Sequence, residues 1–109
     1  MPILFGFDEV AIRAPYDETV RKIADLLNDP RCKDVKAAVI GRADYFGDRR
    51  YNVALSIRRA QAVIDALAAA GVDAARLSIN GIGRDEPVDP RLDSVARARN
   101  RSVIVTIVK

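Results

Sequence analysis

Asp44, Asn52 and Arg59 are the residues whose types and spacing are suited to chemistry. Asp44 lies just beyond Gly41, where an apolar strand-like run ends, and ahead of a helix-like segment that carries Asn52 and Arg59. Those two are seven positions apart, two turns at about 3.6 residues per turn, so they share one helix face. A fixed carboxylate opposite a fixed guanidinium suits a ligand that carries an ammonium and a carboxylate together. That is recognition of a zwitterion, not bond breaking. The same two groups could instead close on each other as an internal salt bridge that fixes the loop to the helix, and residue types alone leave both readings open.

What is missing narrows the chemistry further. The chain has no His and one Cys, Cys32, which removes His-based acid–base catalysis, Ser–His nucleophiles and ordinary zinc sites. An intramolecular disulfide is excluded, and Cys32, behind Pro30-Arg31, reads as an incidental free thiol. No cofactor and no metal are expected. Gly81-Ile82-Gly83 lacks the third glycine and the following helix of a dinucleotide fingerprint. The absence of paired carboxylates in a motif context argues against hydrolysis, so a binding module is expected rather than an enzyme. The net charge of +3 is compatible with an anionic partner, but the basic residues are spread along the chain among acids, which argues against nucleic acid.

These residues need a scaffold, and the patterning supplies one. At 109 residues, half of them hydrophobic and 30% charged, the chain fits a single domain with its own core. No run approaches the ~20 apolar residues of a membrane span, and no signal peptide opens the chain. Strand-like sequence begins almost at once after Met1, so the domain (residues 1–109) is expected to be a piece of a longer protein.

Ile3–Phe7 alternates as a first strand that Asp8-Glu9 ends. Asp17-Glu18 opens a helix whose Val20, Ile23, Ala24 and Leu27 form an apolar face, and Asn28-Asp29-Pro30 stops it. Val35–Ile40 is nearly continuous in apolar residues, as in a central strand. After a loop from Arg42 to Arg50, a second helix over Tyr51–Ala70 is expected to bury Val53, Ile57, Ala60, Ile64 and Leu67. That places Asn52, Ser56, Arg59 and Val63 on its flank, at the edge of the core. Asn52 itself could serve as a helix N-cap or as an early helix residue, and Gly71 closes the helix. Arg76–Asn80 is a third strand, Gly81 to Pro90 a loop, Asp93–Arg99 a short helix, and Ser102–Val108 a β-branched final strand. The fold class is α/β (α+β): one mixed sheet with helices packed on it, in the order β-α-β-α-β-(α)-β.

Ordered motifs at matching separations then bring in a family. Phe5-Gly6-Phe7-Asp8 reads as an opening strand and acidic turn, and Gly41-Arg42-Ala43-Asp44 stands where that family has Gly-His-Thr-Asp. Asn52, Leu55-Ser56 and Arg59-Ala60 fit N-x-x-L-S-x-x-R-A. Leu77 with Gly81-Ile82-Gly83 and Pro87, and Arg97-Ala98-Arg99-Asn100-Arg101-Ser102-Val103, fit its later patterns. Over nearly its whole length the chain resembles the OmpA-like peptidoglycan-binding domain of OmpA, peptidoglycan-associated lipoprotein and MotB.

The resemblance implies noncovalent binding of the diaminopimelate residue of a peptidoglycan stem peptide. Asp44 would hold the ammonium and Arg59 the carboxylate, with Asp8, Asn52 and Arg101 completing the pocket wall. It implies a periplasmic anchor tethered to the outer or inner membrane through regions absent from this chain. Arg42, Ala43 and Phe46 depart from the family pattern, and Tyr45 or Phe46 could close the pocket. They motivate the alternative of a degenerate pocket in a protein-interaction or dimerisation module, homodimer included. Asp8 reads equally as a turn residue, and Arg97 and Arg99 read as a solvated face, with Arg101 the functional arginine of the three.

Overall fold

A computed structural model describes residues 2–44, 48–83, 88–91 and 93–108. Four strands form one sheet: β1 (Ile3–Leu4), β2 (Lys36–Arg42), β3 (Leu77–Gly83) and β4 (Ser102–Val108), in the spatial order β1-β4-β2-β3. β4 runs antiparallel to both β1 and β2, whereas β2 and β3 are parallel. Parallel neighbours need a crossover, and α2 (Arg49–Ala69) provides it. α1 (Asp17–Asn28) and α3 (Ser94–Asn100) complete the mixed α/β architecture expected from the patterning.

β2 occupies an interior position, as its apolar continuity predicts. Ala37 and Val39 are buried on the core face, and Ala38 and Ile40 half-buried on the other. α1 buries Val20, Ala24 and Leu27, spaced to face the core together, with Ile23 packed at the margin. Full burial of a Val or Leu side chain contributes on the order of 1.5–3 kcal/mol, so this row is what holds α1 down. Asn28 Nδ2 donates to Ala70 O (3.0 Å), joining the ends of the two long helices.

Several expectations are corrected. β1 ends at Leu4, because the chain turns at Gly6–Glu9: Glu9 N donates to Gly6 O (3.1 Å) and Asp8 takes a positive φ of 57°. Phe7 accordingly points outward, 58% exposed. Gly81-Ile82-Gly83 is the end of β3, not a loop. Residues with little or no side chain there let α2 lie close against the sheet. Ile57 Cγ1 and Ser56 Oγ occupy the space that a Gly81 Cβ would need, and the Ser56 carbonyl occupies that of Gly41. Arg76 belongs to the short turn before β3. It donates from Nε to Val35 O (3.0 Å) and from Nη2 to Cys32 O (2.6 Å).

The largest correction concerns α2. Asp48, not Asn52, caps it, accepting from Arg50 N at 3.3 Å. Its buried face is Asn52, Leu55, Ser56, Arg59, Ala60, Val63, Ile64 and Leu67, while Ile57 is 43% exposed and Val53 half-buried. The helix is thus turned so that the polar flank faces inward. The reason lies in the sheet: β2 and β3 present glycines where α2 crosses them, so the small Ser56 and Ala60 pack there and the branched Ile57 is pushed to the margin.

Candidate ligand pocket

Arg59 is completely buried, a costly location for a cation unless its donors are satisfied. Its Nε donates to Glu9 O (2.9 Å), Nη2 to Gly6 O (3.0 Å) and Nη1 to Arg42 O (3.3 Å). Two of those carbonyls bracket the turn that carries Asp8, and the third closes β2. The guanidinium also lies over the Phe5 ring, 5.4 Å from its centroid, a favourable cation–π arrangement. Burial pulls its pKa down to about 10; the like charge of Arg101 adds to the fall, and Asp44, Asp8 and Glu9 oppose it. It therefore remains charged at neutral pH. Three of the five guanidinium donors are engaged, leaving one N–H on each Nη nitrogen.

Asp44 lies two residues past β2 and is also buried. Its carboxylate faces cations from the other side of the site. Arg101 Nη1 lies 3.3 Å and Arg97 Nε 3.7 Å from Oδ2. Arg101 is itself tied to the opening strand segment, donating from Nε to Phe5 O (3.0 Å) while Phe5 N donates to Arg101 O (2.7 Å). Among the described residues, no carboxylate pairs directly with Arg59, so the internal Asp44–Arg59 salt bridge is not formed.

Asp8, Asp44, Asn52, Arg59 and Arg101 nevertheless line one cavity of about 240 Å³, together with Phe7, Ala43, Tyr51 and Leu55. All five residues singled out from the sequence converge there. Asn52 is buried on the inward face of α2, and Asp8 is exposed at the tip of its turn. Asp8 is thus both a turn residue and a pocket residue. Tyr45 and Phe46, expected as candidates to close the pocket, lie outside the described residues, as does Pro87.

Sequence reasoning missed Arg97 as a neighbour of Asp44. Arg97 is expected with Arg99 on a solvated face, but in the helix at 94–100 positions four apart share a side. Arg97 and Arg101 turn together toward Asp44, and Arg99 turns away to Asp89 (3.2 Å). The i, i+4 spacing was the available signal. Asn100 was also passed over. It accepts from Asp89 N (2.9 Å) and donates to Asp89 O (2.8 Å), pinning the segment before α3 beside the site.

Residues 4–101 match the OmpA family. The chain belongs to the OmpA family. It is 36% identical over 105 residues to the peptidoglycan-associated lipoprotein of Mesorhizobium japonicum, covering 96% of this chain and 61% of that protein. It is 32% identical over 97 residues to outer membrane protein A of Klebsiella aerogenes, covering 89% of this chain and 28% of that one. The chain therefore spans less than two thirds of the length of each of these relatives. Among solved structures, the peptidoglycan-associated lipoprotein of Burkholderia pseudomallei superposes with a TM-score of 0.92 at 27% identity, over 98% of this chain and 89% of that one. The cell wall anchor of the T6SS from Pseudomonas aeruginosa gives 0.74 at 33% identity, over 97% and 76%.

Proposed function

We propose that this OmpA-family domain binds peptidoglycan noncovalently through the diaminopimelate residue of the stem peptide, and so anchors an envelope protein to the cell wall from the periplasm without catalysing a reaction. The observation that carries the reading is a single cavity bordered by a buried carboxylate and a buried guanidinium that do not neutralise each other. The names of relatives, peptidoglycan-associated or cell-wall-anchoring, support it. On this reading binding is an exchange of ion pairs. The ligand ammonium takes the place of Arg101 Nη1 at Asp44. The ligand carboxylate meets the released Arg101 and the two remaining Arg59 N–H groups, which offer planar, bidentate geometry. Asn52 and Asp8 complete the wall. A lysine-type stem peptide lacks that carboxylate and would bind more weakly by about 1–3 kcal/mol.

The test is calorimetric titration with a diaminopimelate stem peptide and its lysine analogue at about 150 mM salt. Selective binding of the first supports the reading; binding of neither, or equal binding of both, rejects it.

A second reading has its own observation. Arg59 is fully buried and three of its donors hold backbone carbonyls, so the cluster can serve as a structural latch in a domain whose partner is another protein. Failure to bind either peptide by a well-folded sample would favour it.

A further inference from the structure

Tyr51, Leu55 and Arg59 are spaced by four along α2 and so form one row on the helix. The row runs from solvent to the core: its members are 46%, 7% and 0% exposed. All three line the cavity that holds Asp44. At a rise of about 1.5 Å per residue the row is about 12 Å long. The cavity therefore has a depth axis, with Arg59 at its floor and Tyr51 at its mouth. The turn that carries Phe7 and Asp8 forms another wall. Phe7 lines the same cavity and is 58% exposed. Arg59 donates to Gly6 O and Glu9 O on either side of that turn, which fixes the turn against α2.

Apolar side chains exposed singly on a surface are ordinary. Here two aromatic rings from distant parts of the chain are exposed at one opening. Of the other aromatic side chains among the described residues, Phe5 is buried and Tyr16 packs against the core. The groups suited to a zwitterion lie deeper, since Asp44 and Arg59 are both buried. The opening thus differs in chemistry from the floor. An aromatic ring offers a broad rigid face at a small cost in side-chain entropy, and tyrosine adds a hydroxyl that can donate or accept.

We propose that Phe7 and Tyr51 form a second subsite, which takes the peptide units flanking the diaminopimelate residue. The inference rests on the wall-binding reading and sharpens it: the domain selects that residue within a peptide over the free amino acid. The zwitterionic end occupies the floor between Asp44 and Arg59, and its methylene shaft lies along Leu55. The neighbouring backbone amides and alanine methyl groups pack on the two rings. Asp8, exposed at the tip of its turn, accepts from peptide N–H groups there. A free amino acid reaches the floor but leaves both rings in water.

The experiment compares free meso-diaminopimelate, a stem tetrapeptide containing it, their lysine counterparts, and the tetrapeptide carrying its disaccharide, by calorimetry at about 150 mM salt. Wild type is expected to bind the tetrapeptide at least about tenfold more tightly than the free amino acid. In the variant Phe7→Ser with Tyr51→Ser that advantage should fall to about threefold or less. Both side chains are exposed, so the variant should unfold close to wild type. In wild-type protein, nuclear Overhauser contacts should join the peptide's alanine methyl protons to the Phe7 and Tyr51 rings. Equal binding of amino acid and tetrapeptide, each preferred to its lysine counterpart, overturns the subsite and leaves the wall-binding reading standing. Failure of every diaminopimelate form to bind overturns both. An advantage that survives in the double variant, or that appears only with the disaccharide attached, overturns the assignment to Phe7 and Tyr51.

Discussion

Arg101 Nη1 lies 3.3 Å from the Asp44 carboxylate, so the group suited to a ligand ammonium already faces a cation of its own chain. Arg101 is also held at its Nε by Phe5 O, and its guanidinium is a rigid plane, so Nη1 can leave Asp44 only if that hydrogen bond yields with it. On the proposed reading, a ligand ammonium would take the place of this cation at Asp44.

Asp44→Asn should abolish stem-peptide binding, lowering affinity by at least about tenfold in calorimetry. It also leaves Arg97 and Arg101 facing an amide. We expect a loss of about 1–3 kcal/mol in urea unfolding, with the fold retained. Retained affinity in this variant would remove Asp44 from the recognition scheme.

Arg59→Ala should be the more damaging change to stability. It strips donors from the carbonyls of Gly6, Glu9 and Arg42 and opens a cavity beneath Phe5. A cost of about 3 kcal/mol or more is expected. Arg59→Lys should rescue little, since one ammonium cannot reproduce a planar fork that spans three acceptors. Denaturant midpoints of the two variants check this: a lysine variant close to wild type would contradict the latch geometry.

Gly41→Ala and Gly81→Ala separate two kinds of crowding. At Gly41 the added methyl meets the Ser56 backbone carbonyl, which cannot yield without shifting α2. At Gly81 the nearest atom is the Ile57 side chain, which has an exposed margin to move into. Overpacking costs of about 1–3 kcal/mol are general, and Gly41→Ala should lie at or above the top of that range. Thermal unfolding of both variants gives the order, and a reversed order would contradict the packing described.

Acid unfolding should report on Asp89. The Arg91 side chain, helped by its backbone N–H and by the nearby charge of Arg99, holds the Asp89 carboxyl well below the ordinary carboxylate range. A carboxyl depressed in the folded state contributes stability that is complete above its unfolded pKa of about 3.9 and is lost as pH falls below that value. In Asp89→Asn the dependence of stability on pH below about 4 should be shallower than in wild type. Equal slopes would show that this pair carries no linkage.

Much of this was legible in the sequence because it rests on local physics. Helix periodicity, terminators and β-branched runs gave the order of elements, and spacing along α2 put Asn52 and Arg59 on one side. Residue chemistry also suffices to exclude His-dependent catalysis. What the sequence could not decide was rotation and depth. Whether Ile57 or Arg59 faces inward depends on Gly41 and Gly81, far away in the chain, which admit Ser56 and Ala60 and turn the helix by a fraction of a turn. The partner of each charge is likewise a long-range result. Asp44 meets Arg101 across 57 positions and Arg59 meets Gly6 across 53; neither pairing has a local pattern to announce it. Side-chain types determined that the chain carries a carboxylate and a guanidinium suited to a zwitterion. Only tertiary packing, through exclusion of water and competition for donors, decided that they share one cavity without binding each other.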